Sequence, residues 1–328
     1  MARIFAYIVH KAGVPDDTAA ELIAAAKKID PTASPTAIVL GHGAELDAVC
    51  ATLRSSYAEV WKVAQETLAY PNAELIRKAL VKIVPAGSIV LVPHEHFGID
   101  LAPGLSIKAN SAFVSDVLAI EGAEGSSLKV VRQEFGGQVS AHVRCEISSG
   151  VVITIRPGAF KPLESAAVSG TVVDKSAEAG ALTAGRRYLE TVVAEAGDVD
   201  ITKYNVLVSI GRGIQEKDNV AIAQELAEAL GAAVSCSRPV VDAKWLEKSR
   251  QVGSSGKTVK PKVYMACGIS GSFQHLAGIK GSPFLIAINK NPRAPIFQVA
   301  DVGIVDDILE FLPELTNKVR EMRGVAAK

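Results

Sequence analysis

Short aliphatic runs alternate along the chain with longer stretches in which apolar residues recur every three or four positions. The runs "IFAYIV", "TAIVLG", "AEVWKVA" and "SIVLVP" predict buried strands, each being short, rich in Val and Ile, and bounded by polar turns. Between them, "DDTAAELIAAAKKI", "AELDAVCATLR" and "NAELIRKALVKIV" carry helical spacing, with Asp16, Asp17 and Thr18 as helix-start residues. Alternation of this kind builds a parallel sheet with helices on both faces. After "SAFVSDVLAIEG" the rhythm changes: "LKVVRQEF", "QVSAHVRCEI" and "VVITIRP" predict three strands in quick succession, an antiparallel appendage. From Pro157 to Gly197 the composition is mixed, and a domain change near residue 195 fits. The alternation restarts at "YNVLVSIG" and continues through "IQEKDNVAIAQELAEALG", "AAVSC", "KVYMACG", "FLIAIN" and "VGIV". It ends in an amphipathic helix, "DDILEFLPELTNKVREM", interrupted by Pro313. The fold class is therefore α/β, with two doubly wound parallel-sheet domains, residues 1–195 with added strands and residues 196–328.

Composition narrows the function. Apolar residues make up 48% and aromatic residues only 5%, as in helices packed on aliphatic parallel strands. Lys plus Arg and Asp plus Glu are 35 each, so nothing draws the chain to nucleic acid or an anionic membrane. No apolar run reaches the length of a membrane span. Cys50, Cys145, Cys236 and Cys267 are far apart, which argues against zinc, iron–sulfur or disulfide frames and for buried thiols in a reducing compartment. A core strand begins at once, so no targeting segment is expected, and the expected location is cytoplasmic.

In a parallel sheet, ligands bind at the carboxyl ends of the strands. The second half offers "GRG" at 211–213, "CSRPVVD" at 236–242, "QVGSSGK" at 251–257, "GISGSFQH" at 268–275, "NKNPRAPIF" at 289–297 and "VDD" at 305–307. Singly they are weak: "GRG" lacks a third glycine, and Gln251 stands where a phosphate-binding P-loop needs glycine. Together, glycine turns after successive strands point to a phosphate-bearing ligand, with Arg212 or Arg238 reinforcing the backbone N–H groups. Phosphate alone needs neither the amide nor the imidazole of Gln274 and His275, but a planar heterocycle would use both. In "PHEHFG", His94 and His96 could share one face as metal ligands, yet no third ligand is suggested, and the segment reads as a solvated loop after a strand.

"QVGSSGKTVKPKVYMACGISGSFQHLAGIKGSPFLIAINKNPRAPIFQVADVGIVDD" resembles the FAD-binding domain of the α subunit of electron transfer flavoproteins. The likeness extends back through "SIGRGIQEKDNVAIAQELAEALGAAVSCSRPVVDAKW", and more loosely to "DLAPGLSIKANSAFVSDVLAIEG", "FGGQVSAHV" and "TIRPGAFKP". The resemblance implies an FAD with its pyrophosphate on the C-terminal, Rossmann-like domain and its ring facing a partner β subunit, which the N-terminal domain also contacts. By motif, Arg212 and Ser237 would lie along the phosphate and ribityl region, and Arg238 against the isoalloxazine. Val252, Gly253, Ser254 and Ser255 would line the flavin, with the Ser255 hydroxyl near N5. Ser270, Gly271, Ser272, Phe273, Gln274 and His275 would contact phosphate, ribityl and the pyrimidine edge, and Asn289, Asp307 and Ile308 the adenosine side. Ser255 departs from the Thr common in the family, and Asp306 adds a carboxylate where a small residue is usual.

Under that resemblance Arg238 and His275 tune the flavin, since cationic or hydrogen-bond donors near the N1–O2 edge favour a one-electron-reduced anion. A charged hydrogen bond of about 1.5–3 kcal/mol corresponds to roughly 60–130 mV per contact. The implied function is an electron carrier rather than an enzyme. It would be one half of a heterodimer whose β subunit carries AMP or a second FAD. Electrons would come from flavoprotein dehydrogenases, such as the acyl-CoA dehydrogenases of fatty-acid β-oxidation, and pass to an acceptor such as a membrane quinone oxidoreductase. The alternatives are a stand-alone nucleotide-dependent oxidoreductase, a subunit of an electron-bifurcating NADH-linked complex, and a regulatory nucleotide-binding module.

Overall fold

The structure, a computed structural model, describes residues 3–135, 139–163, 168–190, 199–281 and 283–324. The chain divides into two compact units, Met1–Glu190 and Thr191–Lys328. The boundary expected near residue 195 falls within 191–198, outside the described residues.

In the first unit the strands are β1 (Ile4–Tyr7), a small hairpin of β2 (His10–Lys11) and β3 (Val14–Pro15), β4 (Thr36–Gly41), β5 (Glu59–Ala64), β6 (Ile89–Pro93), β7 (Ala112–Glu124), β8 (Ser127–Glu134), β9 (Val139–Glu146), β10 (Val151–Ile155) and β11 (Thr171–Asp174). The helices are α1 (Thr18–Ile29), α2 (Gly43–Leu53), α3 (Ala73–Ile83), α4 (His96–Lys108) and the single turn α5 (Ser176–Ala179). Nine strands form one sheet in the order β11-β5-β4-β1-β6-β10-β7-β8-β9. Successive strand residues face opposite sides. Ile4, Ala6 and Ile8 therefore pack with α1 and α2, while Phe5 and Tyr7 pack with α3 and α4. The expected doubly wound sheet is present.

Two local expectations are corrected in this unit. β10 does not belong to an antiparallel appendage: it lies between β6 and β7, parallel to both, and all five residues are buried. An apolar run with no polar alternation suits a strand covered on both faces, which here means the sheet centre. Within the nine-stranded sheet only β8 and β9, with the β7 residues that pair with β8, are antiparallel. Next, "PHEHFG" is not a solvated loop, because β6 ends at Pro93 and His96 opens α4. Gly98, Pro103 and Gly104 hide that helix from propensity, and Gly98 is needed where the helix start meets the Pro93 carbonyl. The strand β11, parallel to β5 at the sheet edge, has only four residues and carries no visible signal.

The second unit has β12 (Val206–Ile210), β13 (Ala233–Cys236), β14 (Val263–Cys267), β15 (Phe284–Ile288) and β16 (Val302–Ile304). Its helices are α6 (Val220–Leu230), α7 (Arg238–Asp242), α8 (Phe273–Leu276) and α9 (Ile308–Met322). The five strands are all parallel, in the order β13-β12-β14-β15-β16. Val208, Ile210, Met265 and Cys267 pack under α6 and α9, whereas Leu207, Tyr264 and Ala266 face Val252, Val259, Ile269 and Ile296 from irregular segments. One face thus carries long helices and the other a layer of loops. Pro313 does not interrupt α9, which runs unbroken from Ile308 to Met322. Asp307 caps its start by accepting from the Leu309 N–H at 3.0 Å, and Ile308, Leu312 and Thr316 bury one stripe, so a single missing N–H is tolerated.

Candidate functional site

The strand order of the second unit reverses direction between β12 and β14, and ligands of such sheets bind outside the carboxyl ends at that switch. Five loops leave those ends, and 251–257 joins them through a parallel bridge between Cys236 and Gln251. Backbone bonds stitch the loops together. The Gly213 N–H donates to the Gly268 carbonyl at 3.1 Å, Val252 to Cys236 at 2.8 Å, Ser254 to Gln274 at 2.7 Å and Ile296 to Ser270 at 3.0 Å. Asn289 Nδ2 donates to the Ile269 carbonyl at 2.9 Å. The structure therefore brings all six sequence-predicted segments into one continuous layer, since Lys290 of 289–297 also pairs with Asp307 of 305–307.

The glycines have a nearer cause than a ligand. Gly268 adopts φ +64°, and a Cβ there would stand 2.8 Å from the Gly213 Cα, while one on Gly211 would overlap the Gly268 carbonyl. They let two loops meet backbone to backbone at the switch point. The glycine turns are therefore accounted for by loop packing and do not by themselves identify a phosphate-bearing ligand. The argument for a ligand rests on what the layer exposes instead.

Arg212, Arg238, Ser254, Ser255, Ser270, Ser272, Phe273 and Gln274 are all exposed. The Arg238 guanidinium, 70% exposed, pairs through Nε with Asp242 at 3.3 Å. Ser255 Oγ accepts from Gln251 Nε2 at 2.8 Å, which fixes the hydroxyl's place. Lys290 Nζ lies 2.6 Å from Asp307, and this bond with the Leu309 N–H holds the Asp307 carboxyl below the usual range. Asp306, also exposed, accepts from the Asp307 N–H at 2.7 Å, so it turns back on the loop. Ser237, Val252 and Ile308 are buried, and the Val252 and Ile308 side chains belong to the core, so what these two offer a ligand is backbone. Two guanidiniums, several hydroxyls and an amide suit a molecule with an anionic diphosphate and a polar heterocycle, and in that sense the residues fit FAD.

Gln274 and His275 do not present themselves side by side. On the single turn of α8 they point about 100° apart, so the amide is exposed while the imidazole is 4% exposed. His275 Nδ1 lies 3.1 Å from the Val252 carbonyl and Nε2 lies 2.8 Å from Tyr264 Oη, so both ring nitrogens have protein partners. Burial holds its pKa down at about 4, against the smaller upward pull of the Val252 bond.

Residues 200–280 match the electron transfer flavoprotein FAD-binding domain, and residues 4–180 match the electron transfer flavoprotein domain. The electron transfer flavoprotein subunit alpha of Methylophilus methylotrophus is 36% identical over 319 residues, covering 96% of this chain and 98% of that one. The chain belongs to the electron transfer flavoprotein alpha-subunit family. A probable mitochondrial electron transfer flavoprotein subunit alpha of Cryptococcus neoformans is 31% identical over 331 residues, covering 99% of this chain and 93% of that one. Subunit LctC of the NAD(+),ferredoxin lactate dehydrogenase of Acetobacterium woodii is 34% identical over 250 residues, covering 76% of this chain and 59% of that one.

In this alpha-family chain the FAD-binding-domain match spans 211–213, 236–242, 251–257 and 268–275, four of the six loops. Sequence reasoning missed Tyr264, Ser209 and Lys290. Ser209, Ser235 and Tyr264 sit on buried strands, and polar residues inside apolar runs were the signal that could have found them. His94, expected in a solvated loop, does lie between β6 and α4 but is tied into the first unit. Its Nδ1 lies 2.8 Å from Thr154 Oγ1, and its Nε2 lies 3.8 Å from Asp116. Among the described residues no three His, Cys, Asp or Glu side chains are grouped to hold a metal, and no helix is long and apolar enough to cross a membrane.

Proposed function

We propose that this alpha-family chain binds one FAD on the loop layer of its second unit and works as an electron carrier in a heterodimer with a β subunit. The observation that carries this reading is the stitched layer at the β12–β14 switch, with its guanidiniums, hydroxyls and amide exposed over four loops that fall in the FAD-binding-domain match. Bound there, FAD supplies a redox centre that can be filled and emptied one electron at a time. Arg212 and the loop N–H groups offset the diphosphate charge, and the exposed Arg238 guanidinium supplies positive charge where the reduced ring gains electrons. The Ser255 hydroxyl, set by Gln251, and the Gln274 amide orient the heterocycle, and Lys290 with Asp307 borders the adenosine side. Asn289, with Nδ2 on the Ile269 carbonyl, holds its loop in place. No side chain here needs to act as nucleophile or general base.

Expected donors are flavoprotein dehydrogenases and an expected acceptor is a quinone oxidoreductase, with AMP on the β subunit. A second reading, a subunit of an NAD- and ferredoxin-linked complex with a second FAD on the β subunit, is favoured by the likeness to the Acetobacterium subunit. Flavin released from the purified heterodimer decides between them: one FAD per heterodimer supports the carrier, two support the complex, and none overturns both. Arg238→Ala tests the assigned charge; a first reduction potential lowered by about 60 mV or more supports it, and an unchanged one removes Arg238 from the site.

A further inference from the structure

We infer that residues 175–190 are a strap laid along α3 whose end, residues 186–190, forms a releasable clasp: the strap is held firmly as far as Gly185, and the stacked rings of Tyr70 and Tyr188 close the remainder. The inference stands apart from the flavin reading, since every residue it uses lies in the first unit.

Local sequence lays the strap down. β11 ends at Asp174, and the single turn of α5 stops at Gly180, whose φ of +62° turns the chain onto α3. From there the strap runs antiparallel to that helix. Glu74, Lys78 and Lys82 follow one another at i, i+4 spacing, so they share one face of α3. Lys82 Nζ donates to the Ala179 carbonyl at 2.7 Å, Lys78 Nζ donates to the Thr183 carbonyl at 2.7 Å, and the Glu74 carboxylate accepts from the Gly185 N–H at 3.1 Å. Gln65 Nε2 adds a bond to the Gly180 carbonyl at 2.7 Å. Ala179 and Leu182 are buried in the core under α3 and α4, so apolar contact backs these polar rungs.

Beyond Gly185 the hold changes in kind. Arg186 meets Asp100 at 3.6 Å with both side chains more than half exposed, and an ion pair so placed contributes little. Tyr188 lies on Tyr70 with ring centroids 4.1 Å apart and planes 21° apart, yet both residues are nearly half exposed, and Leu189 beside them is exposed as well. Segments with few buried apolar contacts open at low free energy, one cooperative piece at a time. The clasp is such a piece, and the Glu74–Gly185 rung is its stop. Once released, residues 186–190 add up to about 17 Å to the chain leading to the second unit, at roughly 3.3–3.6 Å per residue. The ring stack therefore governs how long that connection is.

Trypsin reads the clasp directly, because Arg186 and Arg187 are the only basic residues between Lys175 and Lys203. Cleavage tracks the open population when opening and closing are fast. Limited proteolysis of the folded full-length chain is expected to cut slowly after Arg186 or Arg187. Tyr70→Ala is expected to speed that cut about tenfold, the scale of one lost aromatic pair. Tyr70→Phe keeps the stack and is expected to stay at the parent rate, and the bond after Lys175 is expected to stay intact throughout. Circular dichroism checks the fold; should Tyr70→Ala fail to fold, Tyr188→Ala is expected to give the same acceleration. A parent chain cut as fast as the Ala variant overturns the clasp, and so does a Phe variant cut as fast as the Ala one. Cleavage after Lys175 that rises in step with cleavage after Arg187 overturns the stop at Gly185, since the strap would then lift as a whole.

Discussion

Each unit of this protein sets a histidine beside a hydroxyl at the carboxyl end of a parallel sheet, and the two ends use them differently. In the first unit, His94 follows β6 and meets the Thr154 hydroxyl of β10, which also accepts from the Asp116 N–H at 2.8 Å. Asp116 in turn takes two bonds from Arg156, at 2.8 and 2.6 Å, and Arg156 reaches Gln133 at 2.5 Å. Asp116 holds a left-handed φ of +58° to do so, a strained conformation for a residue other than glycine. The polar groups there are consumed by one another. In the second unit His275, Tyr264 and Ser209 form a similar chain, but they lie beneath the loops, and Arg212, Arg238, Ser270, Ser272 and Gln274 remain exposed above them. What distinguishes the proposed binding edge from the other is therefore the polar surface left over once internal bonds are made.

The largest effect in that comparison is expected from Gly268→Ala. The new Cβ meets the Gly213 backbone, and the left-handed φ adds about 1–2 kcal/mol. FAD affinity should fall at least a hundredfold in a fluorescence titration, while the melting of the first unit is unchanged. An affinity within threefold of the parent would mean the loops bind without their register.

Arg156→Ala is the matching change in the first unit. It strands a mostly buried carboxylate, so a loss of about 2–3 kcal/mol is expected from urea unfolding, with FAD affinity unaltered. A loss of flavin with intact stability would move the functional edge to the first unit.

Acid should separate the units. The folded-state pKa of His275 is depressed by burial, so its contribution is complete above the unfolded value near 6.5. It is lost as pH falls through about 4, to the extent of about 3 kcal/mol. His94 is shifted the same way by burial, but Asp116 opposes it. Burial pushes the Asp116 carboxyl up, and the bonds and charge of Arg156 together outweigh it, so that group's contribution persists until pH falls below the ordinary carboxylate range. Calorimetry between pH 7 and 4 should show the second unit's transition falling faster. Parallel decline, or a faster one in the first unit, would contradict the buried neutral His275. The smallest effect is expected from Ser255→Ala, which removes one acceptor from Gln251 and should change stability by about 1 kcal/mol.

Much of this was legible in the chain, unevenly. "TAIVLG" marks β4 over the same residues the structure assigns, because an unbroken β-branched run between turns has few other fates. The six loops were visible as glycine, serine and asparagine after strands. The place of β10 was not, since "VVITI" reads alike at a sheet centre or an edge, and strand order is set by distant partners. α4 was hidden because tertiary contacts at Gly98 and Gly104 override poor propensity. Side-chain direction was least legible: nothing local says that Gln274 turns outward and His275 inward, which depends on Tyr264 and Val252 closing around the ring.

Amide hydrogen exchange of the full-length protein, with its partner present, with and without FAD, tests the central claim most directly. The account predicts that FAD slows exchange in 211–213, 252–256, 268–275 and 305–308 and leaves 94–97 and 154–156 unchanged. Slowing confined to the first unit's strand ends, or none anywhere at saturating FAD, would contradict it.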